Sequence, residues 1–224
     1  MCRLAYITER FQGLEPWLEQ MDKSCGGDGI GVATQGRCRK GMHMTVRSSF
    51  ALIMRSAKPV LWHTRRVSSG KKATSLCHPF PCAGGWMVHN GHWTEGHQTA
   101  EVLQDLGYGS LSDTAVFAQL ITKLGLRKAT ENYAPTGVWL WMDRKHRLSV
   151  YKNGGSLYYS PNLGAWGSEP DEDNTWIQVA NGFYGPRDRI VEKREPAPVW
   201  IPDSRYTGHP EYYIDVSTGA IRLR

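Results

Sequence analysis

Short apolar runs between polar, glycine-rich segments predict that this chain is built largely from strands. The runs alternate or continue for only a few residues, and several end at a polar residue or a glycine. Lengths of this kind are typical of strands that are buried on one or both faces. The predicted strands span residues 2–7, 31–34, 42–53, 59–63, 86–89, 138–142, 148–151, 156–160 and 176–179.

Helical periodicity is clearest after Ser112. Ser112 or Asp113 can cap the start of a helix, and Gly125 lies where a C-terminal cap is expected. A shorter helical connection, interrupted by Pro16, is predicted over 11–21. Strands, a helical block and further strands together predict a layered α+β domain. The apolar residues that share one face of the main helix are Val116, Phe117, Leu120, Ile121 and Leu124.

A change of composition follows Pro186. Charged residues fill 187–195, three prolines lie within 196–202, and aromatic residues recur over 206–213. We therefore expect a core over 1–186 and a C-terminal extension over 187–224 that packs on the core or contacts a partner. Before that boundary, 138–142 and 148–151 predict a hairpin, and Asn181-Gly182 predicts a turn.

Composition limits the location and the partners of the chain. A length of 224 residues suits one domain, and 40% hydrophobic content is ordinary for a globular protein. We expect no membrane span, because no apolar run reaches about twenty residues. The N-terminus has no basic segment followed by an apolar one, so we expect a cytoplasmic protein. The net charge of +6 makes a nucleic-acid partner possible but unsupported, because the basic residues are scattered.

Cys2 is a candidate nucleophile. Removal of Met1 would leave a thiol and a free α-amine on one residue, and these groups titrate near about 8.5 and about 7.7–8.0. The amine could therefore take the proton of the thiol and return it to a leaving group. The alternative is that Met1 is retained and that Cys2 is a buried strand residue.

The remaining cysteines do not predict a metal centre or a disulfide framework. The total of five is odd, which argues against a framework of paired cysteines. Cys77 and Cys82 flank His78, but zinc sites show tighter, paired spacings. We therefore expect no metal and no organic cofactor.

Six ordered blocks resemble the class II glutamine amidotransferases. Arginine, small hydroxyl and His-Asn-Gly motifs between Leu61 and Gly91 follow the N-terminal cysteine in the order and approximate spacing of that family, and Ser112-Asp113-Thr114 comes next. The resemblance covers about four-fifths of the chain and implies the four-layer αββα sandwich of the N-terminal-nucleophile hydrolases. The blocks are Cys2, His63-Thr64-Arg65-Arg66, Ser68-Ser69-Gly70, His78-Pro79-Phe80, His89-Asn90-Gly91 and Ser112-Asp113-Thr114.

The resemblance also implies roles for single residues. Cys2 would be the nucleophile, and Asn90 and Gly91 would form the oxyanion hole; taken alone, His89-Asn90-Gly91 also fits a β-turn. Arg65 would bind the substrate carboxylate, and Asp113 would bind its α-ammonium group. Residues assigned to the same pocket are Ser68, which helps to bind glutamine, and His78, which begins a turn beside it.

Each binding assignment has a structural alternative. Arg65 could form a surface salt bridge, Asp113 could cap a helix, and His78 suits a structural role better than proton transfer. The chain also departs from the family pattern at four positions that affect pocket shape and coupling to an acceptor. These are Arg3, Arg66, Ser69 and Cys77.

The implied activity is hydrolysis of the glutamine side-chain amide to glutamate and ammonia through a Cys2 thioester. No synthetase or phosphosugar-binding segment is recognisable, so the resemblance implies that ammonia passes to an acceptor-activating synthetase or synthase in a separate chain. Two alternatives stay open: an amidohydrolase that acts on a γ-glutamyl or another amide, and an inactive scaffold that binds a partner.

Overall fold

A computed structural model describes residues 2–34, 36–67, 71–107 and 111–186, together with the backbone of two strands within 212–223. The chain divides into two compact units, 1–192 and 193–224. The first unit contains the predicted site residues and is described first.

The first sheet of this unit brings Cys2 beside the arginine motif. Its central strands β1 and β4 pair antiparallel, with Arg3 opposite Thr64. Because the start of β1 lies beside the end of β4, the residue before Arg3 lies beside the residues after Thr64. The sheet order is β11-β9-β10-β1-β4-β2-β3, with β1 Arg3–Ile7, β2 Ile30–Thr34, β3 Arg37–Gly41, β4 Val60–Thr64, β9 Tyr158–Ser160, β10 Ala165–Gly167 and β11 Ile177–Gln178.

The second sheet carries the His-Asn-Gly motif at the end of one strand. It is antiparallel throughout, and Asn90 is the last residue of β6, opposite Val138 of β7. The 138–151 hairpin is confirmed. The sheet order is β12-β8-β7-β6-β5, with β5 Phe80–Cys82, β6 Gly85–Asn90, β7 Gly137–Met142, β8 Leu148–Asn153 and β12 Gly182–Tyr184.

Five α-helices of the described residues cover the outer faces of the two sheets. Helices α1 and α2 pack on the first sheet through a cluster that includes Trp17, Ile53 and Trp62. The other three helices pack on the second sheet through a cluster around Phe117 and Trp139. The helices are α1 Leu14–Cys25, α2 Val46–Met54, α3 Thr94–Asp105, α4 Asp113–Leu124 and α5 Leu126–Tyr133.

A third cluster joins the two sheets face to face. It contains Leu4 and Leu61 from the first sheet and Val88, Leu140 and Val150 from the second, all almost completely buried. The order of layers is therefore helices, sheet, sheet, helices. The predicted α+β class is confirmed.

One predicted strand is wrong. Residues 42–53 alternate as a strand would, but the chain is helical from Val46 to Met54. Thr45 caps this helix: its side chain accepts from the Ser48 backbone, and the Ser48 side chain accepts from the Thr45 backbone. This reciprocal capping box satisfies two amide groups at the helix start, and Ile53 anchors the helix against the first sheet.

Helix α4 is confirmed, with Ser112 as its N-cap and Gly125 as its C-cap. Helices α3 and α5 were not predicted, because α3 is largely polar and α5 is short. The same is true of β3, an edge strand of mostly charged residues. Asn181 does lie at a bend, but Gly182 already belongs to β12.

In the second unit, Tyr212–Asp215 (β13) pairs antiparallel with Ala220–Leu223 (β14). The other residues of the predicted 187–224 extension lie outside the described residues. Among the helices of the described part, none combines the length and the apolar character that a bilayer span requires.

Candidate active site

Cys2 lies where three chain segments meet. Its backbone nitrogen is 3.1 Å from Asn90 Oδ1 and donates to it. Its thiol sulfur accepts from the Arg66 backbone N–H at 3.4 Å and lies 3.6 Å from the Arg66 carbonyl oxygen. The first sheet thus brings Cys2 to the end of β4, and the packing of the two sheets brings it to the end of β6.

Burial raises the pKa of the Cys2 thiol, while the hydrogen bond from Arg66 and the charge of Arg65 act in the opposite direction. The raised pKa favours the neutral thiol. A base is therefore needed to generate the nucleophile.

The Asn90 side chain is oriented by two bonds. Its oxygen accepts from Cys2, and its Nδ2 donates to Ser168 Oγ at 3.3 Å. Ser168 Oγ also accepts from the Leu4 backbone at 3.1 Å, so this buried hydroxyl joins β1 to the end of β6. An amide nitrogen carries two hydrogens, and the bond to Ser168 uses one. The other hydrogen is available to an oxyanion.

Gly91 follows Asn90 where the end of β6 lies against the start of β7. A Cβ atom at Gly91 would lie 2.7 Å from Gly137 Cα and 2.7 Å from His89 Nε2. A side chain would therefore push the 90–91 segment away from the start of β7. Glycine is required here by close backbone approach.

Arg65 is buried, with 7% of its surface exposed. Its two terminal nitrogens each lie 3.4 Å from the Lys71 carbonyl oxygen, at the outer limit of a hydrogen bond. Among the described residues, no carboxylate lies within 4.0 Å of its guanidinium group. A buried guanidinium without an ion-pair partner in direct contact is poised to bind an anion.

The glycine-rich 26–31 segment fixes the chain on either side of Arg65. The Arg65 N–H donates to the Gly29 carbonyl at 2.7 Å, and the Arg65 carbonyl accepts from Asp28 at 2.9 Å. The Asp28 carboxylate accepts from the Val67 N–H at 2.9 Å and pairs with Lys72 at 2.6 Å. Hydrogen bonds from Lys72 and Val67 lower the pKa of Asp28, so its carboxylate stays ionised at neutral pH and keeps these contacts.

Asp113 lies in the first turn of α4 and lines one pocket together with Cys2 and Arg65. The N-cap is Ser112, whose hydroxyl accepts from Ala115 at 3.2 Å. The Asp113 carboxylate accepts from the Trp93 N–H at 3.0 Å and from the Thr114 N–H at 2.7 Å. These bonds hold the carboxylate in place and leave lone pairs for a cation.

Three buried histidines form a network behind the pocket. His63 Nε2 lies 3.0 Å from the His89 carbonyl and 2.6 Å from His78 Nδ1. His78 Nε2 and His89 Nδ1 both approach Thr114 Oγ1, at 3.0 and 3.1 Å. His89 Nε2 lies 3.2 Å from the Thr136 carbonyl.

The two carbonyls fix the protons of this network. A carbonyl only accepts, so His63 and His89 both carry their proton on Nε2. The single Nε2–H of His63 is then shared between the His89 carbonyl and His78 Nδ1, and His78 Nε2 donates to Thr114. Burial lowers the pKa of His63 to about 3 and of His89 to about 4, and it lowers the pKa of His78 well below its ordinary value. All three imidazoles are neutral at pH 7.

His78 lines the pocket that contains Cys2, and both of its ring nitrogens bond to protein atoms. Its carbonyl lies so close to β2 that a Cβ at Gly31 would meet it at 1.9 Å. This close approach requires glycine at position 31 of the glycine-rich 26–31 segment. Ser68, the remaining predicted binding residue, lies outside the described residues, and its role stays a prediction.

Sequence reasoning missed the contacts that anchor the start of β1. The Arg3 guanidinium donates to the Cys2 carbonyl at 3.2 Å and forms an ion pair with Glu169. The Glu169 carboxylate also accepts from Ser24 at 2.8 Å. Ser168 and Glu169 follow β10 in a segment without a recognisable motif, so their contribution depends on tertiary contacts alone.

One cavity, here called the acyl pocket, is lined by five of the predicted residues, and Asn90 is not in its lining. It has a volume of about 70 Å³, and its walls include Cys2, Arg65, His78, Gly91 and Asp113. A thiol, an unpaired cation and a fixed carboxylate therefore face one space. This arrangement suits an amide that carries a free amino-acid end.

The cysteine pair beside His78 does not form a metal-binding group. Cys82 Sγ bonds to the Ala118 carbonyl at 3.5 Å, while Cys77 Sγ bonds to the Ala73 carbonyl at 3.6 Å. Within the described ranges, no three His, Cys, Asp or Glu side chains are arranged to hold a metal ion.

The fold is similar to that of solved glutamine amidotransferases. The structure described as the allosteric regulatory enzyme of purine biosynthesis matches with a TM-score of 0.59 at 20% identity. Glutamine phosphoribosylpyrophosphate amidotransferase from B. subtilis, in complex with ADP and GMP, matches with a TM-score of 0.57 at 18% identity. Both matches cover 81% of this chain and 46% of the other. No protein-family model and no curated protein sequence matches the chain.

These neighbours establish the fold. The chain has the architecture of the class II glutamine amidotransferases, in agreement with the resemblance carried by its motifs. The match spans less than half the length of each neighbour.

Proposed function

We propose that this chain is a glutamine amidotransferase domain that hydrolyses the side-chain amide of glutamine. The supporting observation is the convergence at Cys2: its nitrogen lies 3.1 Å from Asn90 Oδ1, and Arg65 and Asp113 line the pocket that contains its thiol. Arg65 would bind the substrate α-carboxylate bidentately, and Asp113 would bind the α-ammonium group.

The reaction requires that Met1 is removed. The Cys2 α-amine then takes the thiol proton, and Sγ attacks the amide carbon. Asn90 Nδ2 and the Gly91 N–H stabilise the oxyanion. The C–N bond breaks, and the amine returns the proton to the departing nitrogen, which leaves as ammonia. Water hydrolyses the thioester, releases glutamate and restores the thiol.

We further propose that the ammonia serves a separate acceptor-activating synthetase or synthase. A cytoplasmic location is part of the same proposal. The basic surface gives no independent support for a nucleic-acid partner. An inactive scaffold would keep the fold but lack a reactive Cys2, so the test must measure reactivity directly.

The test measures glutamate and ammonia from glutamine, after intact mass has verified the loss of Met1. We expect activity in the wild type and in Cys38→Ala, whose half-buried thiol lies on the distant edge strand β3. We expect none in Cys2→Ala. An electrophilic glutamine analogue should label Cys2 alone; absence of both labelling and activity would overturn the proposal.

A further inference from the structure

A second cavity, here called the amine cleft, borders the Asn90–Gly91 segment, and Cys2 is not in its lining. Its volume is about 790 Å³, against about 70 Å³ for the acyl pocket. Gly91 and His92 line both cavities, while Asn90, Arg3 and Tyr158 line the amine cleft alone. Two spaces of very different size therefore border the Asn90–Gly91 segment, which contains the two proposed oxyanion donors and is called the oxyanion segment below.

The proposed chemistry places the leaving group at the mouth of this cleft. With the amino-acid end of the substrate at Arg65 and Asp113, the scissile carbon lies at Cys2 Sγ, and the departing nitrogen lies beyond it. The α-amine must reach that nitrogen to protonate it. The Cys2 nitrogen bonds to Asn90 Oδ1 at 3.1 Å, and Asn90 lines the cleft. An amine that takes its proton from this α-amine would therefore leave toward the cleft.

The amine cleft is much larger than ammonia, which has only one heavy atom. Its volume of about 790 Å³ lies within the range of roughly 300–1,000 Å³ that is typical of small-molecule sites. Gly154 and Gly155 keep one wall open, with φ angles of 88° and 73° that favour glycine. A Cβ at Gly154 would meet no atom within 4 Å.

The charges of the cleft indicate which substituent fits. Arg3 and Glu169 line it, but they form an ion pair with each other. Tyr158 adds a half-buried aromatic ring. The lining also includes His92, Thr136, Asn153, Ser156 and Ser168. Thr136 donates to the His92 carbonyl, Asn153 donates to the Ala134 carbonyl, and Ser168 accepts from the Leu4 backbone. The cleft thus combines an aromatic face and glycine backbone with polar side chains that mostly bond to the protein, and its cation and its carboxylate are already paired. An uncharged alkyl or aryl group suits such a surface better than a phosphate or a second amino acid.

We propose that the amine cleft is a leaving-amine subsite and that the preferred substrates are γ-glutamyl amides of uncharged alkyl or aryl amines. The inference rests on the proposed function, because it uses the same nucleophile and the same acyl pocket. Sγ bonds to the γ-carbonyl carbon and the C–N bond breaks. The departing amine takes the proton that the α-amine received from the thiol, and water then releases glutamate and the thiol.

The test compares kcat/KM for glutamine, γ-glutamylethylamide and γ-glutamylanilide. We expect both substituted amides to be cleaved with a higher kcat/KM than glutamine. Ser156 is exposed and lines the cleft, so Ser156→Trp should fill it. The ratio of kcat/KM for the anilide to that for glutamine should fall by about tenfold or more, the scale of one lost apolar contact.

Arg47→Trp is the matched control, because it adds the same side chain to an exposed position of α2 outside both cavities. It should leave the ratio unchanged. The subsite is overturned if glutamine is the better substrate, or if Ser156→Trp leaves the ratio at its wild-type value. Either result, with Cys2 labelled by the glutamine analogue, leaves the proposed glutaminase standing. Absence of labelling refutes both.

Discussion

The acyl pocket and the amine cleft show two ways in which one oxyanion segment can border a site. The acyl pocket is small and carries an unpaired cation, Arg65, and a fixed carboxylate, Asp113. The amine cleft is large, and its charges pair with each other. Under the proposed function, charge complementarity would control recognition in the pocket, whereas shape would control it in the cleft.

The largest expected effect concerns the rear wall of the acyl pocket, which the cleft does not share. Burial lowers the pKa of His63 to about 3 and of His89 to about 4, and lowers that of His78 well below its ordinary value. In the unfolded chain each would titrate near about 6.5. Between these values the unfolded chain binds protons that the folded chain does not, so stability falls as pH falls below about 6.5.

This prediction is checked by urea unfolding between pH 7 and pH 5. The free energy of unfolding should decrease with falling pH, by up to about 1.4 kcal/mol per pH unit for each buried imidazole. His78→Gln preserves one acceptor and one donor but removes one titrating group, so its slope should be shallower. An unfolding free energy that stays constant over this range would contradict the neutral network.

The next effect concerns Asn90, which lines the amine cleft and bonds to the Cys2 nitrogen. Asn90→Ala removes one proposed oxyanion donor and the acceptor for Cys2, and kcat for glutamine should fall by about 10² to 10³. Asn174→Ala is the control, because Asn174 bonds to Asp171 and lines neither cavity. A loss of less than tenfold in Asn90→Ala would remove Asn90 from the oxyanion hole.

A smaller effect tests whether Arg65 recognises the substrate carboxylate in the acyl pocket. Arg65→Lys keeps the buried charge but loses the bidentate geometry, and KM for glutamine should rise by about tenfold to a hundredfold. The control is Arg10→Lys, because Arg10 is also partly buried but donates to the Ile53 and Ser56 carbonyls on the α2 side. If KM does not change in Arg65→Lys, Arg65 does not bind the carboxylate.

The smallest effect concerns the hydroxyl that links the two sheets beside Cys2. Ser168→Ala removes the bonds to Leu4 and Asn90, and kcat should fall by about threefold to tenfold, the value of one neutral hydrogen bond. Ser160 is a buried serine whose hydroxyl has no partner among the described residues. Ser160→Ala should therefore leave kcat unchanged, and equal losses in both variants would indicate a general packing effect.

The local spacing of apolar residues and the helix caps were sufficient to predict most of the central strands and the main helix. The strands around Leu4, Leu61 and Val88, the hairpin over 138–151 and helix α4 follow from apolar spacing and caps. Prediction from these signals failed at 42–53, where apolar alternation and a helix-capping box compete, and packing of Ile53 on the first sheet favours the helix. It also missed α3 and β3, because polar and charged residues give little periodic signal.

The sequence by itself determined which residues are candidates for the nucleophile, the oxyanion pair and the two charged binding residues, because each belongs to a short motif at a strand or helix end. Only the tertiary structure decided which distant atoms stabilise them. Ser168 and Glu169 reach Asn90 and Arg3 because strands far apart in sequence become neighbours in one sheet and between stacked sheets. The amine cleft likewise exists only between the ends of β6, β7, β8 and β10, and no local pattern encodes the space between them.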